Sequence, residues 1–315
     1  MAAPEQKMRV VFMGTPDFAA TVLRHVAAWP GCEVVAAYCQ PDRPAGRGHK
    51  LQPPAVKVLA QELGIPVFQP LNFKDEADRA ALAGLRPDAL VVAAYGLILP
   101  QSVLDIPTIG PFNVHGSLLP QYRGAAPINW AILDGEAETG VSIMYMAKEL
   151  DAGDVILQKT TPIGEQEDAQ TLTARLAELG AQALSEAVEA LRNGTAGRTP
   201  QDASQQTYAS MLSRDMSPID WNRTARQINC QVRGLIPWPC ATAELAGQRF
   251  KIYETVLGRE TDSAPGTILS AGKQGIEVAC GDGRSLYLTQ LQAEGGKRMA
   301  AAAYLLGHPM EISSN

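Results

Sequence analysis

Histidine is scarce in this chain, and the shortage narrows the search for proton chemistry to a few positions: there are four in 315 residues. His25 falls on the first helical pattern, His49 in a glycine-rich basic loop and His308 close to the last residue, which leaves His115 as the candidate for acid–base work. Cysteine forms no usable pattern either. Cys32, Cys39, Cys230, Cys240 and Cys280 are odd in number and widely scattered, without a Cys-x-x-Cys pair or a histidine at ligand spacing. Neither a metal site nor a disulfide framework is indicated. No apolar run approaches the roughly 20 residues that span a bilayer, although 46% of the chain is apolar. The opening Met1 to Lys7 is polar and runs straight into a strand pattern, which leaves no room for a leader peptide. A cytoplasmic chain with no membrane partner is expected, and a monomer.

A dinucleotide fingerprint is missing as well. Gly14-Thr15-Pro16-Asp17 follows a strand and opens a helix, but it lacks the further glycines that let backbone approach a pyrophosphate. Helix initiation is the simpler role, with Thr15 expected to cap the helix and Pro16 to fill its first position.

What the chain does have is alternation. Short β-branched runs (Arg9 to Met13, Glu33 to Cys39, Ala89 to Ala94) are separated by helical patterns (Phe18 to Ala28, Ala55 to Leu63). That order predicts an α/β fold, an open and mostly parallel sheet with ligands at the carboxyl ends of its strands, where Gly14, Tyr95-Gly96 and Gly116 fall. Leu172, Leu176, Leu179, Ala183, Ala187 and Leu191 recur at helical spacing and end at Asn193-Gly194, the pattern of a packing helix with a glycine cap. Residues 193–207 have no apolar period and read as a linker. Beyond them, one helix (Trp221 to Gly234) precedes short alternating segments around 241–254, 266–269, 275–279 and 285–291, with Gly281-Asp282-Gly283 as a hairpin signal. The expected division is a first domain over 1–192 and a small all-β domain over 208–315.

The run Phe112-Asn113-Val114-His115-Gly116-Ser117-Leu118-Leu119-Pro120, followed by Tyr122-Arg123-Gly124-Ala125-Ala126-Pro127, carries the chemistry. It sets a carboxamide and an imidazole two residues apart on a strand, hence on one face. Such a pair offers a neutral donor for a developing oxyanion and a group that exchanges a proton near neutral pH. It is equally compatible with hydrogen-bonded core structure. Glu149-Leu150-Asp151-Ala152-Gly153-Asp154 follows the apolar strand pattern Val141 to Met146. Asp151 on that turn could orient His115 and Asp154 competes for the role, but taken alone the residues are better accounted for by an Asx-turn before a glycine.

Asn113-x-His115-Gly-Ser-Leu-Leu-Pro-x-Tyr-Arg-Gly-Ala-Ala-Pro-Ile-Asn-Trp130, with Leu150-Asp151-x-Gly153-Asp154, resembles the 10-formyltetrahydrofolate-dependent formyltransferases. The resemblance extends to Met13-Gly-Thr-Pro-Asp-Phe18, Gln40-Pro-Asp-Arg-Pro-Ala-Gly-Arg-Gly48, Ile219-Asp-Trp221 and Pro237-Trp-Pro239, nearly the whole chain, and is fullest with the members that act on initiator methionyl-tRNA. It implies a Rossmann-like catalytic domain followed by a barrel similar to the oligonucleotide-binding fold. It implies Asn113, His115 and Asp151 as the catalytic centre, with Asp151 orienting His115 and supporting its charge, and a proton passing through His115 or through a water held by Asp151. It implies 10-formyltetrahydrofolate as co-substrate along Ser117, Leu118, Leu119 and Pro120 and near Gly96, Leu97 and Ile98. A sugar-amine formyltransferase, a formylfolate hydrolase and a non-catalytic RNA-binding protein remain as rivals.

Charge bears on the RNA partner. Residues 208–315 hold 11 Lys and Arg against 10 Asp and Glu, while 1–207 hold 16 against 23. An acidic chain must bind phosphates through local patches. Arg43, Arg47, Lys50 and Lys57 form such a patch with no acid between them, on a connection longer than an α/β unit needs. The resemblance places this loop at the acceptor end of tRNA through Arg43, with Arg47 and Lys50 beside it, and His49 stands where a basic residue is expected.

Overall fold

A computed structural model describes residues 7–45 and 50–310. Its contacts divide the chain into two units. The first comprises Met1–Gly124, Thr139–Thr161 and Thr173–Tyr208; the second comprises Ala125–Glu138, Pro162–Leu172 and Ala209–Asn315.

In the first unit the alternating runs become β1 (Met8–Gly14), α1 (Asp17–Ala28), β2 (Cys32–Tyr38), β3 (Arg43–Ala45), β4 (Lys50–Gln52), α2 (Ala55–Glu62), β5 (Val67–Phe68), α3 (Glu76–Gly84), β6 (Ala89–Ala93), α4 (Gln101–Leu104), β7 (Gly110–His115) and β8 (Arg123–Gly124). After α5 (Pro127–Leu133) come β9 (Glu138–Tyr145), β10 (Val155–Pro162) and α6 (Ala169–Arg192). The main sheet has the order β10-β9-β7-β6-β1-β2-β5. Strands β5, β2, β1, β6 and β7 pair in parallel, and β9 joins β7 antiparallel. Strands β1 and β6 are buried almost throughout, as a sheet covered on both faces requires. One side is filled by Val11, Met13, Tyr38, Leu82, Leu90 and Val103.

Two local expectations are corrected. Thr15 does not cap α1: Pro16 is the N-cap and Asp17 begins the helix. The Thr15 hydroxyl instead donates to the Tyr95 carbonyl (2.9 Å) and accepts from the Gln40 amide (3.3 Å), tying together the ends of β1, β2 and β6. The stretch 193–207 is not free chain. Gly194 (φ +67°) closes α6 as expected, but Thr199 then pairs with Val155 in a β-bridge, and Gln201 and Gln206 turn inward to Arg123.

The second unit contains β11 (Tyr208–Ala209) in part, then α7 (Ala225–Gly234), β12 (Ala241–Leu245), β13 (Gln248–Glu260), β14 (Ile268–Gly272), β15 (Gly275–Ala279), β16 (Arg284–Ala293), β17 (Met299–Ala300) and α8 (Ala301–Gly307). Thr224 and Gln227 cap α7 reciprocally, so the helix starts later than its sequence pattern suggests. The antiparallel path β12-β13-β16-β15-β14 is a sheet without a closing ladder among the described residues, and helices cover part of it. The small antiparallel β domain expected beyond residue 208 is present, with its expected helix packed against it. Phe250, Ile252, Leu286, Leu288 and Leu291 meet Ile228 and Val232 of α7 in its core. Helix α5 also belongs here: Asn129 donates to the Gly234 carbonyl at 2.8 Å.

Candidate active site

Strand β7 lies inside the sheet, with Asn113 opposite Met144 and His115 opposite Ser142 on β9. Both side chains are buried, Asn113 at 9% and His115 at 5% exposure. The imidazole is pinned at Nε2, 2.9 Å from the Tyr122 carbonyl. A carbonyl only accepts, so Nε2 carries the proton, and in the neutral ring Nδ1 holds the lone pair. Nδ1 faces Asp151 Oδ2 at 3.8 Å, and a proton arriving at Nδ1 forms an ion pair there. The Tyr122 carbonyl can be where it is because Tyr122 adopts φ +58°, a left-handed bend just past the strand.

Asp151 is the carboxylate that reaches the pair. Its Oδ1 accepts from Asn113 Nδ2 at 3.4 Å and its Oδ2 from the Gly124 amide at 2.8 Å. It is buried, at 9% exposure, on a left-handed bend with φ +50° between β9 and β10. Gln201 fastens the bend from outside, donating to the carbonyls of Asp151 (2.8 Å) and Gly153 (2.7 Å). Gly153 is there for space: a Cβ would lie 1.7 Å from the Tyr145 carbonyl oxygen. Asp154 turns away to Arg198, 2.7 Å distant, whose guanidinium also lies over the Tyr145 ring and which holds more firmly to its proton because of that contact with Asp154.

The chain leaving β7 is held by Ser142, whose hydroxyl donates to the Ser117 carbonyl (2.7 Å) while accepting from the Leu119 amide (3.0 Å) and Gln158 (2.8 Å). Ser117 is fully buried and its hydroxyl donates to the Gln121 carbonyl. Leu119 packs with Met144 and Val155. Leu118 and Pro120 remain half-exposed. At the end of the neighbouring β6, Gly96 (φ +80°) receives Gln40 on its carbonyl, Leu97 leans on the core, and Ile98 stands 87% exposed. An apolar side chain so exposed beside a strand end is a natural contact for a ring.

The basic loop is a two-stranded hairpin, β3 against β4. Its tip, with Arg47 and His49, lies outside the described residues, as does the Lys50 side chain. Arg43 is exposed and donates to Gln40. Lys57 leaves the expected patch: it binds both Asp42 oxygens and Gln69 at 2.8 to 3.0 Å, and this bonding holds the Asp42 carboxyl below the usual carboxylate range.

Gln201 and Ser142 escaped the sequence reading, as did the backbone roles of Tyr122 and Gly124 within the motif. A backbone amide and a backbone carbonyl have no side-chain signature, and Gln201 lies in a polar stretch; only Ser142, a hydroxyl inside an apolar strand pattern, carried a signal.

Residues 8–188 match the family model "Formyl transferase", and residues 211–309 match "Formyl transferase, C-terminal domain". The methionyl-tRNA formyltransferase of Trichlorobacter lovleyi is 48% identical over 97% of this chain and 96% of its own. That of Nitratidesulfovibrio vulgaris strain DP4 is 49% identical, covering 97% and 94%. Among solved structures, a HypX variant from Aquifex aeolicus has TM-score 0.65 at 18% identity, over 98% of this chain and 49% of that one. The sugar 3N-formyl transferase WlaRD has TM-score 0.66 at 16% identity, over 91% and 98%, and these two distant likenesses speak to the fold. With sequence relatives matching end to end and both family models in register with the two halves of the chain, this protein belongs to the formyl transferase family.

Proposed function

We propose that the chain transfers the formyl group of 10-formyltetrahydrofolate to the α-amino group of methionyl-initiator-tRNA, a cytoplasmic reaction of translation initiation. The observation that carries the chemistry is the convergence of Asp151 on both Asn113 and His115, which lie 38 and 36 residues before it in the sequence. The acceptor is supported by the two full-length relatives above, both named methionyl-tRNA formyltransferase.

Each side chain has a distinct task. One Asn113 N–H is engaged by Asp151 and the other meets no acceptor among the described residues, so it can donate to the formyl oxygen as negative charge gathers there. His115, with Nε2 fixed, presents Nδ1 for proton exchange, and Asp151 stabilises the imidazolium that results. The amine nitrogen bonds to the formyl carbon, the bond from that carbon to the folate nitrogen breaks, and His115 carries the proton from the amine to the departing nitrogen. The folate supplies the activated one-carbon unit; Gly96, Leu97, Ile98, Leu118 and Pro120 offer it apolar and backbone surface, and Ser117 and Leu119 fix the shape of the segment that carries Leu118 and Pro120. Arg43, with Arg47 and Lys50, meets the acceptor's phosphates.

The test is transfer of labelled formyl to acid-precipitable methionyl-tRNA, with uncharged tRNA and an amino sugar run alongside. Label on charged tRNA alone supports the proposal; label on the sugar, or free formate alone, overturns the acceptor.

A further inference from the structure

The groups that hold the imidazole and the carboxylate stand on either side of one residue. His115 Nε2 donates to the Tyr122 carbonyl (2.9 Å) and Asp151 Oδ2 accepts from the Gly124 amide (2.8 Å), so the backbone around Arg123 is their common frame. Arg123 is itself buried, and its guanidinium is turned toward amide oxygens. Its Nε and Nη2 donate to Gln201 Oε1 (3.0 and 2.7 Å), and its Nη1 donates to Gln206 Oε1 (2.6 Å).

Gln201 carries this frame across to the Asp151 bend. Its Nε2 gives one hydrogen to the Asp151 carbonyl (2.8 Å) and one to the Gly153 carbonyl (2.7 Å), while its Oε1 takes the two Arg123 bonds. A carboxamide has two hydrogens and two lone pairs, so all of its capacity is used. Turning the amide over would set N–H groups against the guanidinium and an oxygen against two carbonyls. Asp151 lies at φ +50°, where a non-glycine residue persists only if its surroundings hold it. The backbone on either side of Gln201 is anchored too. Thr199 exchanges both backbone bonds with Val155 (2.8 and 2.9 Å), just beyond the bend. Thr207 receives the Tyr122 amide on its hydroxyl (2.8 Å) and the Arg123 amide on its carbonyl (2.9 Å). Residues 199–207 thus form a strap bonded to both segments of the site.

We propose that Gln201 is a positioning residue for formyl transfer: its one carboxamide fixes the Asp151 bend against the Tyr122–Gly124 segment, and with it the 3.8 Å approach of carboxylate to imidazole. This role rests on the parts proposed above for His115 and Asp151. Gln201 bonds to the backbone of the bend and not to the reacting side chains, so its effect falls on the rate of the chemical step.

The isosteric Gln201→Glu separates its two ties. A carboxylate of the same length still accepts from Arg123, now through charge-assisted bonds, but has no hydrogen for the carbonyls of Asp151 and Gly153. Gln206→Glu sets the same charge on the same guanidinium from a residue bonded to Arg123 and not to the bend. Gln201→Met removes all four bonds. With methionyl-tRNA as acceptor, Gln201→Glu is expected to lower kcat about 10- to 100-fold, the cost of a small misplacement, with KM, binding of 5-formyltetrahydrofolate and melting temperature little changed. Gln206→Glu should retain the kcat of the wild type, and Gln201→Met should lose kcat and melting temperature together. Wild-type kcat in Gln201→Glu or in Gln201→Met overturns the positioning role and leaves the proposed function standing. So does an equal loss in Gln206→Glu, which assigns the effect to charge beside Arg123. A loss in Gln201→Glu that comes with weaker folate binding or a lower melting temperature also overturns it, because it marks a merely structural residue. A wild type that does not formylate methionyl-tRNA overturns the proposed function, and the positioning role with it.

Discussion

The bend at Asp151 and the hairpin at 43–52 are both surface excursions from the same sheet, and they are built on opposite plans. Asp151 is buried, and its side chain and backbone are bonded by Asn113, Gly124 and Gln201. Arg43 is exposed and touches one glutamine of its own loop. Under the proposed roles, the contrast teaches a division of labour. A group that must meet a transition state is placed to within fractions of an ångström, whereas a group that meets a phosphate acts through charge over a longer range.

If that division holds, His115→Ala has the largest effect, lowering kcat by about 10²–10⁴-fold with folate affinity retained; near-normal turnover would break the assignment. Asn113→Ala removes one oxyanion donor and is expected to lower kcat by about 10²–10³-fold, measured at saturating acceptor. Gly153→Ala probes placement alone: its Cβ cannot fit against the Tyr145 carbonyl, so the bend must move. A loss of roughly 10² in kcat, with about 1–3 kcal/mol less stability in urea titration, is expected. Unaltered kcat would show that the fixed bend is not needed. Arg43→Ala sharpens the other side, raising KM for methionyl-tRNA several-fold at low salt and reducing the slope of log affinity against log salt by about one contact. A fall in kcat without any change in KM would erase the distinction between the two loops.

Most of the first sheet was legible because its strands are buried on both faces and therefore read as unbroken apolar runs, such as Leu90-Val91-Val92. Asn113 and His115 were legible because a period of two fixes their common face. The choice between Asp151 and Asp154 was not: three residues apart on one turn, they differ only in which way a left-handed bend aims them. Thr15 misled for a related reason. A threonine before a helix favours capping when nothing else competes, and here the Tyr95 carbonyl and the Gln40 amide compete successfully. Lys57 looked free because its partner Asp42 lies 15 residues away, brought back by the hairpin between them. Helix α5 grouped with the second unit through Asn129 and Gly234, a contact across 105 residues that no local pattern announces.

The bonding of Lys57 to Asp42 and Gln69 has an evolutionary side. It fastens the chain on both sides of the 43–52 hairpin: Asp42 precedes β3, and Lys57 follows β4 on α2. Whatever lies between is hung from a closed clasp. Residues can be added to or taken from the hairpin without the change reaching the end of β2, so under the proposed roles acceptor recognition is free to drift, or to be redesigned by grafting, while β7, three places over in the sheet, inherits its geometry intact.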